Sequence, residues 1–256
     1  MKLKVSLSPW KVTRFLLLIV FSLVMLSFLS QLSNFLLPNY PLKYYSHSLV
    51  NVDGEGNISA LYSALTLLFS GILLGVISYV KKQVNSRYAR HWGVLGGIFC
   101  FLAFDEFFQF HEQLISPFRK LLGATGFLYF TWVVPAAFLL VILGVSYIKF
   151  LGHLPTKTRS LFFLAAGLYI GGAIGTELIG GNMVFEGAMN NLSYHAVATF
   201  EELLEMLGIV TFIHALTSYI SNYLNEVILQ VRVGNEWAGV QQKPSEELVS
   251  QSSYYK

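Results

Sequence analysis

The chain has 256 residues, 54% of them hydrophobic and 12% charged, and a net charge of +3. A soluble domain carries about 25% charge, and the apolar residues here gather into runs of about 20, the length that crosses a bilayer's hydrocarbon core. That pattern excludes an ordinary soluble domain, and a lone Cys100 excludes an intrachain disulfide.

The runs predict six spans, at 15–37, 58–80, 92–112, 127–149, 160–180 and 197–222. Lys2, Lys4, Lys11 and Arg14 precede the first, as in the n-region of a signal peptide. The run continues through Leu36 and Leu37 without an A-x-A site, so it reads as a retained span. Pro38, Pro41 and the turn Asp53-Gly54-Glu55-Gly56-Asn57 separate spans one and two. Ser116-Pro117, Gly152 to Pro155 and Gly180-Gly181 mark later connections. The expected fold is all-α, a polytopic membrane helical bundle: residues 1–223 form one six-helix domain, and 224–256 a flexible polar tail. Gly71/Gly75, Gly93/Gly97 and Gly167/Gly171/Gly175 are expected to let helix backbones approach closely.

Basic residues of short loops stay cytoplasmic. Lys81, Lys82, Arg87 and Arg90 follow span two, Lys149, Lys157 and Arg159 follow span four, and Arg232, Lys243 and Lys256 follow span six. Lys43, Arg119 and Lys120 fall on the other side. Both termini are therefore expected inside. Ten acids, from Asp53 and Glu55 to Glu205, map to the outer half, and that rule does not explain them.

Three segments bring those acids to similar depth. Span three ends FLAFDEFFQFHEQL, where helical spacing puts Asp105, Gln109 and Glu112 on one face, flanked by Glu106 and His111. Span five carries Glu177, and span six begins SYHAVATFEELLEMLG with His195, Glu201, Glu202 and Glu205. An intramembrane acid costs about 2.5–3.5 kcal/mol even on the lenient insertion scale, so such groups face the bundle interior or water. Carboxylates in close company cannot all ionise without a positive partner. The apolar runs offer no Lys or Arg, which leaves shared protons or a bound divalent metal. Carboxylates with one or two imidazoles suit Zn, Mn or Fe. The expected ligands are Asp105, His111, Glu112, Glu177, His195, Glu202 and Glu205, with Glu106 or Glu201 as general base.

At these residues the chain resembles a set of uncharacterised multi-span bacterial membrane proteins. The shared pattern is D-G-E-G-N (Asp53 to Asn57), D-E-x4-H-E (Asp105 to Glu112), an isolated Glu177 and E-E-x2-E-M-x-G (Glu201 to Gly208). The resemblance implies a bacterial inner-membrane protein and no particular activity. Glutamic intramembrane proteases are similar at Glu201-Glu202 and Phe107-x3-His111, but Met206 stands where they carry arginine, and the motif order is reversed. The H-x3-H pair of membrane ceramidase-like hydrolases is absent.

The resulting expectation is a metal-dependent membrane enzyme acting on a lipid-like or membrane-embedded substrate. The alternatives are a proton- or cation-coupled transporter and a small accessory subunit that binds a protein partner. Membrane lipid is the expected environment. Nucleic-acid binding is not expected, because topology accounts for the basic residues. Nucleotide binding is not expected either, because no G-x4-G-K-[ST] loop is present.

Overall fold

A computed structural model describes residues 8–36, 52, 56–189 and 191–224. Pro38, Pro41, Lys43, Asp53 to Glu55 and the expected tail after Leu224 lie outside the described residues. The elements are α1 (Pro9–Leu36), α2 (Ile58–Gln83), α3 (Ala89–Phe108), α4 (Phe110–Gln113), α5 (Ile115–Leu122), α6 (Val133–His153), α7 (Thr156–Ile170), a π-helical segment (Gly171–Thr176), α8 (Glu177–Phe185) and α9 (Leu192–Tyr223). No strand occurs among the described residues. Six helices are long and apolar enough to cross a membrane: Pro9–Ser33, Ile58–Gln83, Ala89–Phe108, Val133–His153, Thr156–Phe185 and Leu192–Tyr223.

The expected spans are all present, with shifted edges. The first begins at Pro9 rather than 15, and the fourth at Val133 rather than 127. The fifth continues through the π segment to Phe185, past Gly180-Gly181, which the sequence had suggested as its end. Asn57 caps α2, its side-chain oxygen accepting from the backbone N–H of Ser59 at 2.9 Å and of Ala60 at 3.1 Å. The segment 115–122, read as a loop around Ser116-Pro117, is instead the short helix α5. Pro117 falls in its first turn, where a missing N–H costs no intrahelical bond.

Helix α9 is the hub. It buries Met206, Ile209, Val210, Phe212, Ile213, Leu216 and Tyr219. Ile213, Leu216 and Tyr219 belong to one cluster with Leu67, Leu74 and Ile77 of α2, Trp92 of α3, Phe150 of α6 and Phe162 of α7. Val20 and Leu23 of α1 join Met206 and Val210 in a second. Helix α6 turns Phe138, Leu139, Val141, Ile142, Val145 and Ile148 outward. In a bilayer, whose tails are as apolar as these side chains, close approach rather than burial from water would hold such helices together.

Glycines decide where that approach occurs, and they are only partly those expected. A Cβ on Gly71 would lie 2.7 Å from Cys100 Sγ, and one on Gly96 3.2 Å from the Gly71 carbonyl oxygen, so α2 and α3 cross there. Gly75, Gly97, Gly167, Gly171 and Gly175 have open space where a Cβ would go. Helix α7 instead meets α9 at Gly208, where a Cβ would stand 2.7 Å from the Tyr169 backbone nitrogen. Gly172 is the matching contact one turn on, with a Cβ position 2.9 Å from the Glu201 carbonyl oxygen. The expected stripe lies one residue away from the face that packs.

Two polar ties fix α1 against α9. The Thr13 hydroxyl donates its one proton to the Pro9 carbonyl at 2.8 Å, so toward His214 Nδ1, also at 2.8 Å, it accepts. At the other end of the helix Gln31 Nε2 donates to Ser27 Oγ at 3.3 Å and to Thr199 Oγ1 at 3.1 Å.

Candidate functional site: an acid–histidine cluster at one end of the bundle

The helix carrying Asp105 stops where the sequence pattern runs on. Gln109 takes a left-handed conformation, φ 55°, and its N–H donates to the Asp105 carbonyl at 2.6 Å. A separate turn, α4, then carries His111 and Glu112. The expectation that Asp105, Gln109 and Glu112 share a helix face is thereby corrected, because the break at Gln109 rotates all that follows. Its consequence is local. The reversal folds His111 back onto Asp105, which accepts from the His111 backbone N–H at 2.9 Å and pairs with its Nδ1 at 2.9 Å.

Burial works against charge on His111, but its hydrogen bond to Asp105, the charge of Asp105 and those of Glu112 and Glu106 outweigh it. The imidazole therefore titrates above its ordinary value. Glu112 contributes to that field from an exposed position on α4.

The His111 ring lies 4.8 Å from the ring of Trp132, tilted by 56°. Trp132 Nε1 donates to Glu177 Oε1 at 2.8 Å. Glu177 opens α8 directly after the π-helical segment. A π turn widens the helix by one residue and often lies at functional sites; here it ends at the acid. The Glu177 carboxyl also lies beside that of Glu201, so α8 and α9 meet at two acids.

Glu205 lies a turn below Glu201 on α9 and feels the charges of Glu202, Glu106, Glu201 and Glu177. Asp105, Glu106, His111, Glu112, Glu177, Glu201, Glu202 and Glu205 thus act on one another from α3, α4, α8 and α9. The His195 ring meets Tyr194 at 5.7 Å, and its carbonyl accepts from Thr199 at 2.8 Å. Six residues separate it from Glu201, about 9 Å of helix. Among the described residues, no three His, Cys, Asp or Glu side chains are arranged to hold a metal ion.

Sequence reasoning missed two members. Trp132 reads as an interface aromatic at a span's start, and nothing in its neighbours signals a carboxylate partner 45 residues away. Tyr169 feels the charges of Glu205, Glu106, Asp105 and Glu202; it looks like a packing residue because its partners lie on other helices. Arg119, the nearest arginine in sequence, spends its charge elsewhere. Its Nε donates to the Tyr129 carbonyl at 2.9 Å, and its guanidinium lies 3.6 Å above the Tyr129 ring. Trp132→Phe keeps the ring and removes the donor. It is expected to leave folding intact and to release Glu177, checked as a change in the Glu177 carboxyl vibrational band.

These features define an all-helical protein with six helices able to cross a membrane and one acid–histidine cluster at their end. A family model described as a domain of unknown function (DUF8692) matches residues 14–219, and the chain belongs to that family. Neither the curated proteins nor the solved structures contain a match.

Proposed function

We propose that the chain is a multi-pass protein of a bacterial inner membrane, with its basic helix ends in the cytoplasm and its acid–histidine cluster facing outward. In this reading the cluster performs acid–base catalysis on a lipid-like or membrane-embedded substrate. The observation that carries the proposal is the approach of the Glu177 and Glu201 carboxyls, and in this reading the pair holds one proton between them. Paired carboxyls that share a proton supply a base and an acid at once. The ionised member takes a proton from water as its oxygen attacks, and the protonated member gives one to the leaving group. Trp132 holds Glu177 in place, and His111 supplies positive charge nearby.

A divalent-metal enzyme using Zn, Mn or Fe is the second reading. It is favoured by the crowding on Glu205, which four other glutamates act upon. A metal would hold Glu202 and Glu205 together by neutralising them.

The test uses the full chain purified without chelator and placed in lipid nanodiscs. Infrared difference spectra across pH are expected to show a protonated carboxyl band that Glu177→Gln and Glu201→Gln each remove. Hydrolysis of membrane-embedded esters or amides should fall about 10²–10⁴-fold in both variants, the usual worth of a positioned acid–base group. Stoichiometric metal that disappears in folded Glu202→Ala/Glu205→Ala transfers the assignment to the second reading. Absence of both the band and the metal rejects the two together.

A further inference from the structure

The opposite end of the bundle contains a cavity that the acid–histidine cluster does not use. Its volume is about 240 Å³, and its walls come from five elements: Lys81 at the end of α2, Ser86 and Tyr88 in the connection to α3, Trp92 in α3, Phe150 and His153 in α6, and Tyr219 and Tyr223 in α9. Drug-sized pockets span about 300–1,000 Å³, so this one suits a small polar group more than a cofactor.

Its floor is rigid and aromatic. Trp92 packs edge-on to Phe150 at 5.0 Å and tilted against Tyr219 at 5.0 Å, and both Trp92 and Phe150 are buried. Its rim is polar and positive. The Lys81 ammonium stands 5.4 Å from the Tyr219 ring centroid, a geometry that fixes its head over the cavity. The Ser86 hydroxyl, the His153 imidazole and the tyrosine rings of Tyr88 and Tyr223 complete the lining. His153 is held against Tyr88 at 5.0 Å.

Among the described residues, charge at this end is of one sign. Lys82, Arg87, Arg90, Lys149, Lys157 and Arg159 flank the same helix ends. Every acid among the described residues belongs to α3, α4, α8, α9 or the α8–α9 turn, at or near the opposite end, and the ion pair there is His111 with Asp105. Lys81 is half-buried, and no ion pair to it occurs among the described residues.

We infer that this cavity is a binding site for a phosphate-bearing headgroup, with Lys81 as the charge partner and Ser86 and His153 as hydrogen-bond donors. Basic pockets between helices on the cytoplasmic side take anionic lipid headgroups in this way. A soluble phosphate ester presents the same chemistry, and the experiment separates the two. The inference rests on the proposed membrane placement but not on the acid–base reading of the other end. The two therefore fail independently.

The test is native mass spectrometry and tryptophan fluorescence on the full chain, titrated with phosphatidylglycerol or phosphatidylcholine vesicles and, separately, with glycerol phosphate. Wild type is expected to retain phosphatidylglycerol over phosphatidylcholine. Lys81→Gln should lose at least about tenfold in affinity, one charged contact's worth. Lys81→Arg should restore much of it, and Lys82→Gln, which changes a neighbouring charge outside the cavity, should bind as wild type does. Binding of glycerol phosphate with the same Lys81 dependence supports the site and assigns it a soluble source. Equal retention of both lipids, or a Lys82→Gln loss equal to that of Lys81→Gln, overturns the inference.

Discussion

Gly208→Val is expected to be the most damaging single change in the bundle. A Cβ at this position would stand 2.7 Å from the Tyr169 nitrogen, 2.8 Å from Tyr169 Cβ and 3.0 Å from the Ala165 carbonyl oxygen. Two of those three are backbone atoms inside α7, which cannot step aside without moving the helix. Overpacking a tight site costs about 1–3 kcal/mol and occasionally more, and a branched side chain against backbone belongs at the upper limit. Because α7 leads through the π segment into Glu177, separation of α7 from α9 would also pull that acid away from Glu201. The measurement is thermal unfolding in detergent, set beside Gly172→Ala and Gly171→Ala. The expected order of loss is Gly208→Val, then Gly172→Ala, with Gly171→Ala indistinguishable from wild type because open space faces it. Equal midpoints for Gly208→Val and Gly171→Ala would refute the close approach.

Asp105→Ala is expected to cost about 3 kcal/mol, since hydrogen bonds to charged groups contribute about 1.5–3 kcal/mol each and His111 loses two partners at once. The effect has a pH signature. His111 is held above its ordinary value in the fold, so the folded state binds the proton more tightly than the unfolded chain does, whose histidine titrates near 6.5. The contribution is fully present below that unfolded value and is lost as pH rises through the folded one. Wild type is therefore expected to lose stability across that window, whereas Asp105→Asn, which keeps an acceptor but removes the charge, should show a flatter profile. Unfolding midpoints measured across pH, with the His111 ring followed by NMR, decide it. Parallel profiles for the two proteins would assign the pH dependence to another group.

The acid cluster was legible because of its cost. Glutamates such as Glu177, Glu202 and Glu205 in apolar runs must find one another or water, and their depth could be counted along each helix. What depth does not give is azimuth. A helix read as continuous puts Asp105 and Glu112 on one face, and a single left-handed residue at Gln109 undoes that while bringing His111 to Asp105. The glycine stripe failed for a related reason. The spacing of Gly167, Gly171 and Gly175 is the same on either side of the helix, and only the partner's surface determines that Gly172 and Gly208 face inward.

Amino-acid order alone determined that this protein is helical, that six of its helices are long enough to cross a bilayer and that ten of its fourteen acids fall away from most of its bases. Those properties follow from run length, composition and the price of burying charge, each of which is additive along the chain. Tertiary structure alone decided that Trp132 reaches Glu177, that Glu177 lies beside Glu201 and that an aromatic cavity with Lys81 at its rim closes the other end. These depend on the rotation of one helix against another, which side-chain contacts across tens or hundreds of residues set and local sequence does not encode.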